Sequence, residues 1–212
     1  MRTIRYRGLD AVMEDLDFLV NTYGVKNIKI IDEMFAIKES RIIEFCDRII
    51  ERGYDLNFWA YARVNTVTDK MLEKMKKAGI NWLAYGFESG NKRVIDDVTK
   101  GYKFDQVMNV VQKTYDTDIN ICANFIFGLP EDDYDSMNDT LKMMLDINAE
   151  WVNLYSAMAY PGSRLYETAL EKKWPLPDKP QEALWRLRTG LFCNPKRGVI
   201  LLVLHSPPHI HI

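Results

Sequence analysis

Apolar residues recur along this chain in two alternating rhythms. Short runs rich in β-branched and aromatic residues fall at 27–32, 56–63, 82–88, 119–127 and 151–159. A polar turn follows each, and then apolar positions at i, i+3, i+4 spacing. The first rhythm predicts strands and the second amphipathic helices. Ile42, Phe45, Ile49 and Ile50 make one helical stripe, closed by Gly53; Leu72, Met75 and Ala78 make the next, closed by Gly79. Phe104, Val107 and Val111 mark a third, and Met137, Leu141 and Met144 a fourth. Leu165, Tyr166 and Ala169 mark a helical segment after the last strand. Thr66 with Asp69 resembles a capping box for the second of these helices. Strands alternating with helices predict βαβ units, a parallel sheet and right-handed crossovers. The fold class is therefore α/β, with a barrel-like or a doubly wound sheet.

Both ends break the rhythm. Residues 10–23 read as a helix with Val12, Leu16, Leu19 and Tyr23 on one face, closed by Gly24. A (βα) chain that opens in helix phase predicts that its first strand is not encoded here. After Trp174-Pro175-Leu176-Pro177 the alternation stops. Residues 181–212 hold four Arg/Lys and only Glu182 as an acid; 199–204 is a bare apolar run with no partner helix. His205, His209 and His211 are the chain's three histidines. A His-rich ending has the composition of a metal-binding tract, but a disordered or non-native tail accounts for it more simply. The expected division is a barrel-like domain over 1–177 and an irregular tail over 178–212.

The chain has 212 residues, 47% of them hydrophobic, which suits one globular domain with a short appendage and a core that needs no disulfides. Net charge is −2 with acids and bases interspersed, so neither nucleic acid nor a membrane is expected as partner. There is no apolar run of about 18 residues and no signal-peptide pattern, so the expected location is cytoplasmic. Cys46, Cys122 and Cys193 are far apart and in no CxxC or CxxxCxxC spacing. That argues against a disulfide framework and against a self-contained metal site.

Active sites of parallel α/β folds lie at the carboxyl ends of strands, so polar residues there carry most weight. Asp32 and Glu33 follow the first strand and can receive an ammonium group or a metal. Arg63 ends the second and can fork a carboxylate or phosphate. Glu88 and Ser89 end the third inside Gly86-Phe87-Glu88-Ser89-Gly90, whose glycines leave room for a ligand to approach the backbone. The fourth strand runs from Asn124 through Ile126 into Gly128-Leu129-Pro130-Glu131, and the fifth into Met158-Ala159-Tyr160-Pro161-Gly162-Ser163. Phe125 and Phe127 are expected on one face, with Ile126 on the other.

Asp32-Glu33-x-Phe35, Gly86-Phe87-Glu88-Ser89-Gly90, Ile126-Phe127-Gly128-Leu129-Pro130-Glu131 and Pro161-Gly162-Ser163-x-Leu165-Tyr166 together resemble the radical S-adenosylmethionine (SAM) enzymes. The flavour is that of the cobalamin-associated branch, similar to anaerobic magnesium-protoporphyrin ester cyclases and related methyltransferases. The resemblance covers about residues 1–177. It implies a partial (β/α) TIM-like barrel whose second to sixth strands are the five seen here, the first being absent. It implies that Asp32 and Glu33 hold the methionine amino group of SAM and that Arg63 meets the carboxylate. Glu88 and Ser89 would lie near the ribose. Ile126 and Gly128 to Glu131 would lie beside the adenine, with Asn124 where a glycine is often found. Met158 to Tyr160 would reach the adenine edge through backbone groups.

The resemblance also implies a 4Fe–4S cluster on a CxxxCxxC loop after the first strand, and cobalamin in a preceding domain. This chain has neither the loop nor that domain. The expectation is thus a fragment of a radical SAM enzyme, of methyl-transfer or ring-closure type, acting on a small molecule and inactive alone. It would depend on a missing N-terminal segment or an electron donor. The alternative is a non-catalytic SAM- or nucleotide-binding module. An unrelated barrel hydrolase or aldolase would need histidines or a lysine at strand ends. No histidine precedes His205, and none of these strands ends in lysine.

Overall fold

The structure, a computed structural model, describes residues 5–32, 35–97, 106–174, 176, 191–194 and 199–202. Helix α1 (Leu9–Tyr23) precedes β1 (Asn27–Lys29), α2 (Glu39–Arg52), β2 (Asn57–Ala62), α3 (Asp69–Lys77) and β3 (Ile80–Glu88). Then come α4 (Lys92–Asp97), α5 (Gln106–Asp116), β4 (Asn120–Phe127), α6 (Tyr134–Ile147), β5 (Trp151–Ser156) and α7 (Arg164–Glu171). One five-stranded sheet has the order β1-β2-β3-β4-β5; β1–β2, β2–β3 and β4–β5 pair in parallel. Each pairing of sequential strands across a helix is the βαβ unit that the pattern predicted. No helix among the described residues is long and apolar enough to cross a membrane.

The chain forms two compact units, Met1–Gly86 with Tyr102–Ile121, and Phe87–Gly101 with Cys122–Ile212. In the first unit one sheet face is apolar and covered by helices. Phe58, Ala60 and Ala62 of β2 are buried, and Phe45 of α2 meets Phe58 edge-on at 6.0 Å. Met71, Leu72 and Met75 of α3 and Ile80 and Leu83 of β3 complete this layer, each at or below 1% exposure. Removing a side chain of this size from water contributes roughly 1.5–3 kcal/mol. Tyr85, fully buried, shares a 3.0 Å hydrogen bond with Thr114 of α5.

Simple alternation does not carry β3. Phe58 pairs with Ile80 but Trp59 with Trp82, so Asn81 is an extra residue in the ladder. This β-bulge lets Ile80 and Leu83, three apart, both face the helices. Asn81 Nδ2 donates to Asn57 Oδ1 (3.1 Å), Asn57 Nδ2 to Asn27 Oδ1 (2.9 Å), and Asn120 Nδ2 to the Asn81 carbonyl (3.0 Å). Four asparagines, Asn27, Asn57, Asn81 and Asn120, thus link the first residues of β1, β2 and β4 and the second residue of β3.

In the second unit, Phe87 stacks on Phe125 with centroids 5.6 Å apart, and both are fully buried. Asn124 pairs with Asn153 and Ile126 with Tyr155 along β4–β5. Phe125 and Ile126 therefore take opposite faces, as expected.

Several expectations are corrected. The five strands are found, but β1 ends at Lys29 and β5 at Ser156, while β3 starts two residues early at Ile80. Helix α4 was not predicted. The cap of α3 is Thr68, not Thr66: Thr68 Oγ1 accepts from Met71 N at 3.3 Å, while Thr66 turns back to the Arg63 carbonyl. Within the stretch read as an irregular tail, β6 (Leu191–Asn194) and β7 (Val199–Leu202) form an antiparallel pair. The apolar run thus has a strand partner instead of a helix. Phe104 and the three histidines lie outside the described residues.

Candidate functional site

In the first unit, Asp32 and Arg63 follow the parallel neighbours β1 and β2, so both leave the same edge of the sheet. Asp32 is exposed, and its carbonyl accepts from Phe35 N (3.1 Å), which starts the short 3-10 turn Phe35–Ile37. Arg63 is half-buried, and its carbonyl anchors Thr66 through N–H and hydroxyl, each at 3.1 Å. Glu33 lies outside the described residues.

The Gly86–Gly90 segment has the most constrained geometry. Glu88 ends β3 with φ of 64°, in the left-handed region that side-chain-bearing residues seldom enter. Such conformations persist where the surroundings impose them, and they gather at functional sites. Here the surroundings are explicit. Ser89 is fully buried; its hydroxyl shares a 3.1 Å bond with Thr140 of α6 and accepts from Asn91 N at 3.2 Å. Gly90 N donates to the same Thr140 hydroxyl at 2.9 Å, and Asn91 Nδ2 donates to Asp139 at 2.8 Å. A Cβ on Gly90 would stand 2.4 Å from the Asp139 carbonyl oxygen, so only glycine fits. The turn turns Ser89 inward and leaves Glu88 half-buried at the strand end.

On β4, Asn124 Oδ1 accepts from Asn153 Nδ2 at 2.9 Å and from the Tyr155 hydroxyl at 3.5 Å, while its Nδ2 donates to the Cys122 carbonyl. The loop after β4 is closed by its own carboxylates. Asp132 Oδ2 accepts from Gly128 N (2.8 Å) and Leu129 N (3.0 Å), and Asp132 Oδ1 from the Ser136 hydroxyl (2.8 Å). Gly128 has φ of 80°, which suits a residue without Cβ. Asp133 caps α6 in a capping box with Ser136. The Ser136 N–H, and then Arg93, hold the Asp133 carboxyl below its usual range. Glu131 stands 3.9 Å from the same Arg93. The carbonyls of Met158 and Tyr160 accept from Tyr160 N (3.1 Å) and Ser163 N (3.0 Å), and the exposed Tyr160 hydroxyl points to the Met158 sulfur (3.4 Å).

The structure thus brings Ser89 and Gly90, next to Glu88, onto Thr140, and separately Gly128 and Glu131 around Asp132 and Arg93. Asp132, Asp133 and Thr140 were not singled out from the sequence. The signal for the first two was there, since an acid pair three and four residues before Ser136 is an N-terminal capping pattern.

The residues present do not fit an iron–sulfur cluster. Among the described residues no group of three or more His, Cys, Asp or Glu can hold a metal. Cys46 is fully buried on α2, and burial pushes its thiol up to about 12. Cys122 is buried on β4, its sulfur taken by Asn153 Nδ2 at 3.4 Å.

Comparison with known proteins gives a consistent result. The family described as the Radical SAM superfamily matches residues 9–144. An uncharacterized methyltransferase of Pyrococcus horikoshii is 30% identical over 168 residues, covering 78% of this chain and 37% of that protein. The anaerobic magnesium-protoporphyrin IX monomethyl ester cyclase of Rubrivivax gelatinosus is 27% identical over 173 residues, covering 81% of this chain and 31% of the cyclase. The chain therefore spans about a third of the length of these curated relatives. Among solved structures, the radical SAM methyltransferase TsrM from Kitasatospora setae, with cobalamin and a 4Fe–4S cluster bound, superposes with a TM-score of 0.64 at 14% identity. That match covers 71% of this chain and 29% of TsrM. It bears out the partial TIM-like α/β fold.

Proposed function

The chain belongs to the radical SAM superfamily, and on that premise we propose that it is the SAM-cradling part of a radical SAM enzyme of the cobalamin-associated branch, binding SAM without cleaving it alone. The family implies SAM and a 4Fe–4S cluster, which supplies the electron that cleaves SAM. The 212 residues contain no CxxxCxxC to hold that cluster. Relatives more than twice as long, one of them solved with cobalamin and the cluster, support reading this chain as one part of such an enzyme. Methyl transfer and ring closure on a small molecule both remain within this proposal.

The observation that carries it is Glu88. A carboxylate accepts both hydroxyls of a ribose, and Glu88 is held in a strained conformation at a strand end by the buried Ser89–Thr140–Gly90 bracket. In this reading Ser89 is a positioning residue, acting through Glu88. The loops at Ile126, Gly128 to Glu131 and Met158 to Tyr160, with Asn124, flank the adenine. Titration calorimetry with SAM and with 5′-methylthioadenosine, which keeps the nucleoside and lacks the amino acid, tests the assignment. Both ligands are expected to bind in the micromolar range, and Glu88→Gln to weaken both about tenfold, in line with loss of about 1.4 kcal/mol. No detectable heat with either ligand overturns the proposal.

A further inference from the structure

Helix α6 carries two stripes. Ser136, Thr140, Met143, Met144 and Ile147 are its buried side. Two residues turn a helix by about 200°, so the residues two positions before these lie on the outward face: Tyr134, Asn138, Leu141, Lys142 and Leu145. On α3 the same step from the buried Met71, Leu72 and Met75 leads to Asp69, Lys70 and Glu73. That charged outward face is the usual one for a surface helix. The outward face of α6 is different. Tyr134 is 81% exposed, Leu145 65% and Leu141 40%.

Tyr134, Asn138, Leu141 and Leu145 recur at intervals of four, three and four, which is the spacing of a coiled-coil seam. Asn138 is the one polar residue in it, and a lone seam asparagine is a device that fixes register. Asp135 and Lys142 each follow a seam residue directly, so they stand seven residues apart on one flank of the seam, with opposite charges. The same face outlines an open depression of about 490 Å³. Within the chain Lys142 reaches only Asp139, at 3.8 Å, across an exposed i,i+3 step that holds it weakly.

We infer that α6 is a dimerisation helix, its outward face pairing with that of a second copy, antiparallel about a two-fold axis. In that arrangement a flank of one helix meets the same flank of the other, reversed end for end. Each Asp135 then lies beside the second copy's Lys142, while Tyr134 meets Leu145 and Asn138 meets Leu141. A parallel pair would put the two charged flanks on opposite sides. The face is thus complementary to itself when turned end for end, which is what an isologous contact requires. One face of a 14-residue helix is smaller than a standard interface of about 1,600 Å², so the dimer forms only as concentration rises.

Sedimentation equilibrium of the 212-residue chain over a range of concentrations tests this, with folding of each variant checked by circular dichroism. The parent is expected to move from monomer towards dimer. Asp135→Lys and Lys142→Glu each set like charges against each other twice, and each should weaken the dimer about tenfold. The double variant should recover it, and so should an equimolar mixture of the two single variants, whose faces are then opposite in charge. Leu145→Ser should weaken the dimer without lowering the melting temperature of the monomer. A parent that stays monomeric overturns the inference. So does association that all these variants share with the parent, which would assign it to another surface such as the β1 edge. Single variants that do not recover on mixing overturn the antiparallel pairing.

Discussion

Thr140 serves three partners with one hydroxyl. It meets Ser89 Oγ and Gly90 N and donates to the Ser136 carbonyl one helical turn back, at 3.0 Å. It is 1% exposed, so water cannot replace it. Thr140→Val keeps the shape but leaves the Gly90 N–H without this acceptor and the Ser89 hydroxyl without this partner. A buried polar group stripped of its partner costs about 1–3 kcal/mol, so urea unfolding should show a loss of about 2–3 kcal/mol. Thr140→Ser should recover most of it, and an unchanged midpoint in Thr140→Val would show that the bracket holds nothing. The same variant should weaken 5′-methylthioadenosine binding more than its stability loss alone explains, since Glu88 is posed by this bracket. The serine and the threonine are each unremarkable in sequence. Only their meeting across 51 residues makes them a device.

At the scale of elements, α1 is tied to α2 by charge as well as by packing. Leu9, Met13 and Leu16 are the buried stripe of α1. Beside them Arg52 of α2 forks Asp17 through Nε (2.7 Å) and an Nη (3.0 Å), the Tyr54 hydroxyl donates to the same carboxylate at 2.8 Å, and Arg48 reaches Asp10. The Arg52 and then the Tyr54 hydrogen bonds hold the Asp17 carboxyl below its ordinary value of 3.8. A group whose pKa is lower in the folded state binds fewer protons there than in the unfolded chain. Its stabilising contribution is therefore present above pH 3.8 and lost as pH falls below it. The pair is about a third exposed, so the contribution is under about 1 kcal/mol. Asp17→Asn should lower the melting temperature slightly at pH 7, by an amount that shrinks as pH falls below 3.8 and through the lowered pKa of the folded state. A difference that persists or grows in acid would assign the clamp to packing instead. The asparagine link across the strand starts belongs to this scale too. It depends on the bulge at Asn81, which no count of apolar positions discloses.

For the whole molecule, the cysteine inventory and the strand order carry the expectations. Anaerobic incubation with iron and sulfide should give no stable cluster absorbance, because the two described thiols are buried and neither belongs to a group of three or more His, Cys, Asp or Glu among the described residues that could hold a metal. A stoichiometric cluster would refute this part of the proposal. The strand order ends on β1, whose three residues pair with β2 in this sheet. An edge of that kind presents N–H and C=O groups to any chain that can add to it. The isolated polypeptide should associate, or need a partner for solubility, in analytical ultracentrifugation; a soluble monomer with one sharp cooperative melt would contradict it.

Local periodicity determined a great deal here. It set five strands and the helices between them, the α/β class and the strand-end positions of Asp32, Arg63, Glu88 and Gly128, and the motifs at those ends were enough for the family. The reason is that alternation and helical spacing are properties of a residue and its near neighbours. The tertiary structure alone decided that Ser89 faces inward onto Thr140 and that Asp132 takes the N–H groups of Gly128 and Leu129. It also decided that Asn81 bulges so that Trp82 can stand beside Trp59. Each of these joins residues whose separation carries no periodic signal, or breaks the period itself. A sequence pattern gives a side chain's phase on its own element; which group it meets there is settled only when the elements pack.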